Sequence, residues 1–196
     1  MQYTQTKPQQ LGLFPLTSNI LPGGRMRLRI FEPRYLRMVK ESLSQNSGFI
    51  LCMLNPLGNI EKNEHIYKVG THVHVVDFES LADGMLGITI EGSALVEISK
   101  ITTESDQLRR GHVQFLEPWP TNVADEAKPS LVARLQEVFK MYPELDVLYP
   151  EKRYDDITWL CGRWLELLPL EPGQKQSLIA SQCPKQISSY ICELFD

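Results

Sequence analysis

His72 and His74 stand two positions apart, with Asp77 and His65 close by in the chain, and these are the residue types that hold divalent metals. On a strand, positions two apart face the same way. Two imidazoles and a carboxylate could therefore bind zinc with an open coordination position. No His-Glu-x-x-His or comparable spacing supports that use. The pair reads instead as the solvated face of a half-buried strand, with Val73 and Val75 turned inward. The cysteines Cys52, Cys161, Cys183 and Cys192 have no Cys-x-x-Cys spacing and sit among apolar neighbours, which predicts reduced core residues. No cofactor and no metal are expected. A P-loop needs a Gly-Lys pair so that the lysine reaches the terminal phosphate, and the sequence contains no Gly-Lys dipeptide. No nucleophile, base and orienting group appear at a recognisable spacing, so the chain reads as non-catalytic.

Two features could bind. In Arg25-Met-Arg-Leu-Arg-Ile30 the arginines Arg25, Arg27 and Arg29 alternate with Met26, Leu28 and Ile30, and Arg34, Arg37 and Lys40 continue the charge. Such a stripe could hold acidic peptide segments or a phosphate-bearing ligand. It could equally guard a sheet edge, with Glu32 and Glu41 placed to pair with it. Trp119, set between Pro118 and Pro120 where the character of the chain changes, could line a groove at a domain junction. Trp159 and Trp164 fall on an amphipathic helix and read as core. The candidate binding residues are thus Arg25, Arg27, Arg29, Arg34 and Trp119.

The elements that must position them follow from periodicity. Leu11 to Leu16 is a short apolar strand, Pro22-Gly23-Gly24 breaks it, and residues 25–30 alternate with period two. From Pro33 the period becomes helical, with Tyr35, Met38, Val39 and Ser42 on one side and proline suited to a first turn. Glu32-Pro33-Arg34-Tyr35 turns the chain from strand to helix, leaving Arg34 to find a carboxylate and Tyr35 to pack inward. Phe49 to Leu54 is a strand and Asn55 to Gly58 a turn. Residues 71–80 and 84–92 flank an Asp83-Gly84 hairpin signal, and 94–101 and 112–116 add two more strands. A sheet rolled into a sandwich or partial barrel is the expectation. Past Pro118 and Pro120, Leu131, Leu135, Val138, Phe139 and Tyr142 take helical spacing, as do Ile157, Leu160, Cys161, Trp164, Leu165 and Leu168. Asp155 and Asp156 mark a helix start, and shorter helices open at Pro172 and Pro184, giving a four-helix C-terminal part.

The 196 residues, 42% hydrophobic and 22% charged, suit a globular chain of one large or two small domains. The expected division is a flexible terminus over 1–10, a β-rich domain over 11–120 and a helical domain over 121–196. A net charge of −4 disfavours nucleic acid, whose binding requires clustered cations. The polar start MQYTQTKPQQ has no secretion-signal character, and no apolar run approaches a membrane span, so no membrane partner and a cytoplasmic location are expected.

Leu13-Phe-Pro-Leu16, Pro22-Gly23 and Ile30-Phe-Glu-Pro-Arg-Tyr35 together resemble the opening of the Lon protease N-terminal, or substrate-binding, domain family. Val69-Gly-Thr71, Leu81-Ala-Asp-Gly84, Ile90-Glu-Gly92 and the helical tail around Leu168-Pro-Leu170 extend the likeness over nearly the whole chain. The resemblance implies an α+β fold, in which an N-terminal six-stranded PUA-like pseudobarrel with one inserted helix is followed by a C-terminal four-helix bundle. It also implies a unit that holds protein substrates, standing apart from the ATPase and from the peptidase whose Ser-Lys dyad lies in another domain. The expected function is a protein- or peptide-binding module for unfolded or extended polypeptide segments or a protein partner. The alternative is a small-ligand or nucleic-acid binder on the same barrel. The chain departs from the family pattern at Ser93-Ala94-Leu95, where an Arg-Phe pair is usual, and at Gly23-Gly24, where a bulky residue is common. The second departure predicts a looser loop.

Overall fold

The computed structural model describes residues 9–120 and 127–195. Six strands form a single sheet: β1 (Gln9–Leu16), β2 (Arg25–Ile30), β3 (Phe49–Leu54), β4 (Ile66–Ser80), β5 (Leu86–Thr103) and β6 (Arg109–Phe115), in the order β2-β5-β4-β3-β1-β6. An added β5–β6 pairing joins five of them into a ring. β1 and β3 run parallel and every other pair is antiparallel. β2 lies outside the ring, paired only with the first half of β5. This is the expected pseudobarrel, with α1 (Pro33–Gln45) between β2 and β3.

Residues 1–8 of the expected flexible terminus lie outside the described residues, while Gln9 and Gln10 already pair with Val113 and His112 in β1. The stretch that follows the expected boundary at 120 also lies outside them over residues 121–126. The greatest difference from expectation is in β5. Residues 84–92 and 94–101 read as separate strands, but Leu86–Thr103 is one strand of 18 residues. It bends rather than stops, because the β4 partners of Gly92 and Ala94 are neighbours, Val73 and His72, and Ser93 is left as the extra residue of a bulge. The small polar step at 93–94 looked like a break and is a corner.

α1 begins as its proline dictates. Glu32 is extended at φ −79° and ψ 131°, Pro33 takes the first turn, and Met38, Val39 and Ser42 are buried against the sheet. Asn46, at φ 50°, closes the helix in the left-handed conformation that asparagine tolerates. The barrel interior holds two clusters, one around Phe14, Phe49, Ile88 and Ile90, the other around Leu13, Ile50, Val96 and Ile98.

The helical part comprises α2 (Pro129–Met141), α3 (Pro143–Asp146), α4 (Ile157–Leu167), α5 (Pro172–Ser181) and α6 (Pro184–Phe195). Four of these match expectation and the single turn α3 is additional. Four open on proline, whose missing N–H costs nothing in a first turn. α4 is capped by Asp156, which accepts from Thr158 N at 2.9 Å and Trp159 N at 3.2 Å. Leu131, Leu135, Phe139, Trp159, Leu160, Trp164 and Ile187 build this core, so both expected tryptophans are inside. Leu21, from the loop before β2, and Leu95, from β5, belong to the same cluster and tie it to the sheet. Among the described residues no helix is long and apolar enough to cross a membrane.

Candidate functional site

The place where sheet and helices meet is set by the loop from Asn19 to Gly24. Leu21 N donates to Glu166 Oε1 at 2.6 Å, and Arg163 donates to the Leu21 and Pro22 carbonyls at 3.3 and 3.4 Å. Arg163 also donates to both carboxylate oxygens of Glu166, at 2.7 and 2.6 Å. These two side chains are only 1% and 9% exposed, so the ion pair is enclosed between α4 and the loop, with Arg163 Nη1 left without a hydrogen-bond partner among the described residues. Tyr149, from the segment before α4, reaches the same carboxylate at 3.4 Å. Burial first, and then the Glu166 charge, push its phenol well above its usual range and keep it a donor. Thr71 Oγ1 donates to Ile20 O at 2.6 Å and Lys175 Nζ reaches Asn19 Oδ1 at 3.4 Å.

The expectation of a loose loop at Gly23-Gly24 is therefore corrected. Gly23 has φ +76°, and both glycines bond to the Gly92 backbone across β5, at 2.8 and 2.9 Å. A Cβ on Gly24 would stand 2.2 Å from Glu166 Oε1 and 2.6 Å from Arg163 Nη2. The glycines are needed because a charged pair packs directly on the backbone, which is close approach and not looseness.

Held in this way, Leu21 and Pro22 form one wall of a groove of about 130 Å³. Its other walls are Ala94 and Leu95 beyond the β5 bulge, Phe115 and Leu116 at the end of β6, and Trp119. Leu116 N still donates to Leu95 O at 2.9 Å, and then Pro118 and Pro120, lacking N–H groups, lead the chain out of the ladder with Trp119 between them. Trp119 is half-buried against the helical core. The polar groups at the rim are Ser93, Glu117 and Thr158, and the Thr158 hydroxyl is engaged by Asp156 at 2.6 Å.

Ser93 connects the groove to His72. The imidazole is buried, with Nδ1 2.7 Å from Ser93 Oγ and Nε2 2.8 Å from Ser47 O. A carbonyl only accepts, so the neutral ring carries its proton on Nε2 and accepts from the Ser93 hydroxyl at Nδ1. Burial holds the His72 pKa below the ordinary histidine value, partly offset by the Ser47 bond. His72 therefore does not lie on a solvated face. It packs between the rings of His74, at 4.7 Å, and Phe115, at 5.2 Å. Among the described residues no group of three His, Cys, Asp or Glu side chains comes together to hold a metal. Cys52 and Cys161 are buried thiols, the latter pushed up to about 12, and all four cysteines are free.

The five expected binding residues do not form one site. Trp119 lines the groove and none of the four arginines does. Arg25 is bound by Glu91 at 2.6 Å, its cross-strand partner. Arg29 pairs with Asp83 from the β4–β5 turn. Arg34 pairs with Glu32 at 2.6 Å, donates to Gln107 O at 3.0 Å and lies over the Tyr35 ring. Arg27 is exposed and has no ion-pair partner among the described residues. The stripe is thus largely neutralised by carboxylates that other strands and turns bring to it. Sequence reading missed Ser93, Leu95 and Phe115, whose convergence depends on a bulge that carries no sequence signature.

Comparison with known proteins finds relatives of the chain as a whole. The family model of the ATP-dependent protease La (LON) substrate-binding domain matches residues 10–195. The Lon N-terminal domain protein from Xanthomonas campestris superposes with a TM-score of 0.71 and 28% identity, over 94% of this chain and 98% of that one. The N-terminal domain of a Mycobacterium avium complex Lon protease superposes at 0.62 with 14% identity, over 94% and 97%, a likeness of fold alone. The Lon protease of Brucella suis biovar 1 (strain 1330) is 22% identical over 165 residues, 82% of this chain and 20% of that protein. The chain thus spans about one fifth of the length of the curated Lon relatives that it matches.

Proposed function

The chain belongs to the ATP-dependent protease La (LON) substrate-binding domain family, and from that membership we propose that it is a non-catalytic module that binds exposed apolar segments of unfolded or extended polypeptide. The observation that carries the reading is the groove beside Trp119. Its walls of Leu21, Pro22, Leu95, Phe115, Leu116 and Trp119 suit apolar side chains, and Trp119 supplies the kind of aromatic anchor on which binding energy concentrates. Since the Ser93 proton is turned to His72, the hydroxyl oxygen keeps lone pairs at the rim that can accept from the N–H groups of an extended backbone. The enclosed Arg163–Glu166 pair holds the Leu21–Pro22 wall in place before any ligand arrives, which lowers the ordering cost of binding.

In the same reading the β-rich part over 11–120 and the helical part over 121–196 act as one binding unit whose junction is the site. The four free thiols suit work in the reducing cytoplasm. Fluorescence anisotropy with a permanently unfolded, labelled polypeptide tests the proposal. Saturable binding to the unfolded form and none to the folded form of the same protein is expected, and equal or absent binding of the two forms defeats it.

A further inference from the structure

A second and larger groove, of about 640 Å³, runs between the start of β4, the end of β5, the loop from Asn55 to Glu64 and the face of α5 that carries Gly173, Gln176, Ser177 and Ala180. It is chemically unlike the groove at Trp119. Lys62, Lys68 and Lys100 line it, and Glu64 is the one carboxylate among its lining residues. None of these lysines has an ion-pair partner among the described residues, in contrast to the arginine stripe, where three of four cations are matched. The concentration of free cations is local, because the chain as a whole carries −4. The lining also carries the apolar side chains of Ile66, Val69, Ile98 and Ile101, among the polar ones of Asn55, Asn63, Ser99, Gln176 and Ser177.

The backbone strengthens the case at Lys100. The β5–β6 register breaks between Ser99 and Thr102, and Lys100 sits in that irregularity at φ +47°. A residue with a Cβ adopts this conformation at a cost on the order of 1 kcal/mol or more, and bulges of this kind re-aim side chains. Here the re-aimed residue is a lysine at the mouth of a groove that already holds two.

We propose that this groove is a second docking site, selective for acidic segments of polypeptide that also carry apolar side chains. The proposal goes beyond the apolar-segment reading and stands without it. Charge complementarity selects the occupant: three unpaired ammonium groups call for carboxylates, and the isoleucine lining calls for apolar side chains spaced between them. Single-stranded nucleic acid fits less well. It needs several aromatic rings to stack its bases, and the groove supplies only Tyr67, while the net negative charge of the chain opposes a long polyanion.

Fluorescence anisotropy on the full chain tests this with three probes: a labelled peptide alternating Glu with Leu and Phe, the same peptide with Gln for Glu, and an oligonucleotide of equal charge. The acidic peptide is expected to bind at least about tenfold tighter than its Gln counterpart, with the gap closing as salt rises toward about 1 M. The double variants Lys68→Glu/Lys100→Glu and Lys68→Gln/Lys100→Gln should each remove that preference, the former more completely, while Trp119→Ala leaves it in place. All three positions changed are surface or groove side chains, so circular dichroism should show the folded state unaltered. Equal binding of the acidic and Gln peptides, preference for the oligonucleotide, or an acidic preference that survives both lysine variants overturns the proposal. Loss of the preference on Trp119→Ala alone would place acidic segments in the other groove and overturn it as well.

Discussion

Replacing Glu166 by Gln removes one charge from the junction while leaving its shape almost unchanged. In the native chain the carboxylate accepts from Leu21 N at 2.6 Å, from Arg163 at 2.7 and 2.6 Å and from the Tyr149 hydroxyl at 3.4 Å. A Gln oxygen can keep the Leu21 bond, but the new NH₂ group then meets the Arg163 guanidinium donor to donor. A guanidinium that is 1% exposed has no solvent to turn to. Breaking one side of such a pair costs about 3–5 kcal/mol, which for a chain of this size lowers Tm by roughly 6–20 °C. Urea unfolding followed by tryptophan fluorescence reads the change, since Trp159 is buried close to Gly23, and the denaturant slope should not move. The double variant Arg163→Met/Glu166→Leu removes both members of the buried pair and should recover at least about half of the loss. It cannot recover all of it, because Leu21 N and the Leu21 and Pro22 carbonyls lose their partners. A loss below about 1 kcal/mol for Glu166→Gln would refute the reasoning that this pair fastens the loop.

Gly24→Ala should destabilise the fold by about 1–3 kcal/mol, because the new methyl group collides with the fixed carboxylate of Glu166; an unchanged urea midpoint would show that the loop has room after all. His72 makes stability pH-dependent. Its folded pKa lies below the ordinary value, so its contribution is complete above about 6.5 and is lost as pH falls toward the folded pKa. Stability should therefore decline on acidification below that point in the native chain, and the decline should shrink in His72→Gln over the same window, before the carboxylates of Glu41 and Glu104, both held low by arginines, begin to titrate. Parallel pH profiles for the two proteins would contradict the assignment.

Much of the architecture was readable wherever one residue type does one local job. The alternation at 25–30, Pro33 at the start of α1, Asp156 at the start of α4 and the prolines at 172 and 184 all act through neighbours a few positions away. What escaped reading depends on partners distant in the chain. Arg25 and Arg29 look free until Glu91 and Asp83 arrive from β5 and its turn. His72 looks half-exposed until Phe115, from β6, covers its ring. Arg163 and Glu166 look like an ordinary i,i+3 surface pair on a helix until the loop from Asn19 to Gly24 folds over them. At the site itself, Trp119 was marked by its flanking prolines, whereas Ser93 and Leu95 were not, because a bulge in one strand is defined by its register against another.

The claim that the junction groove takes apolar side chains is tested most directly by measuring one unfolded polypeptide against the native chain and Trp119→Ala side by side. The aromatic ring is half-buried, so the variant should remain folded, and its dissociation constant should rise by roughly 30-fold or more, as expected for loss of an anchor worth about 2 kcal/mol or more. Equal affinity in the two proteins, with both folded, would contradict the account.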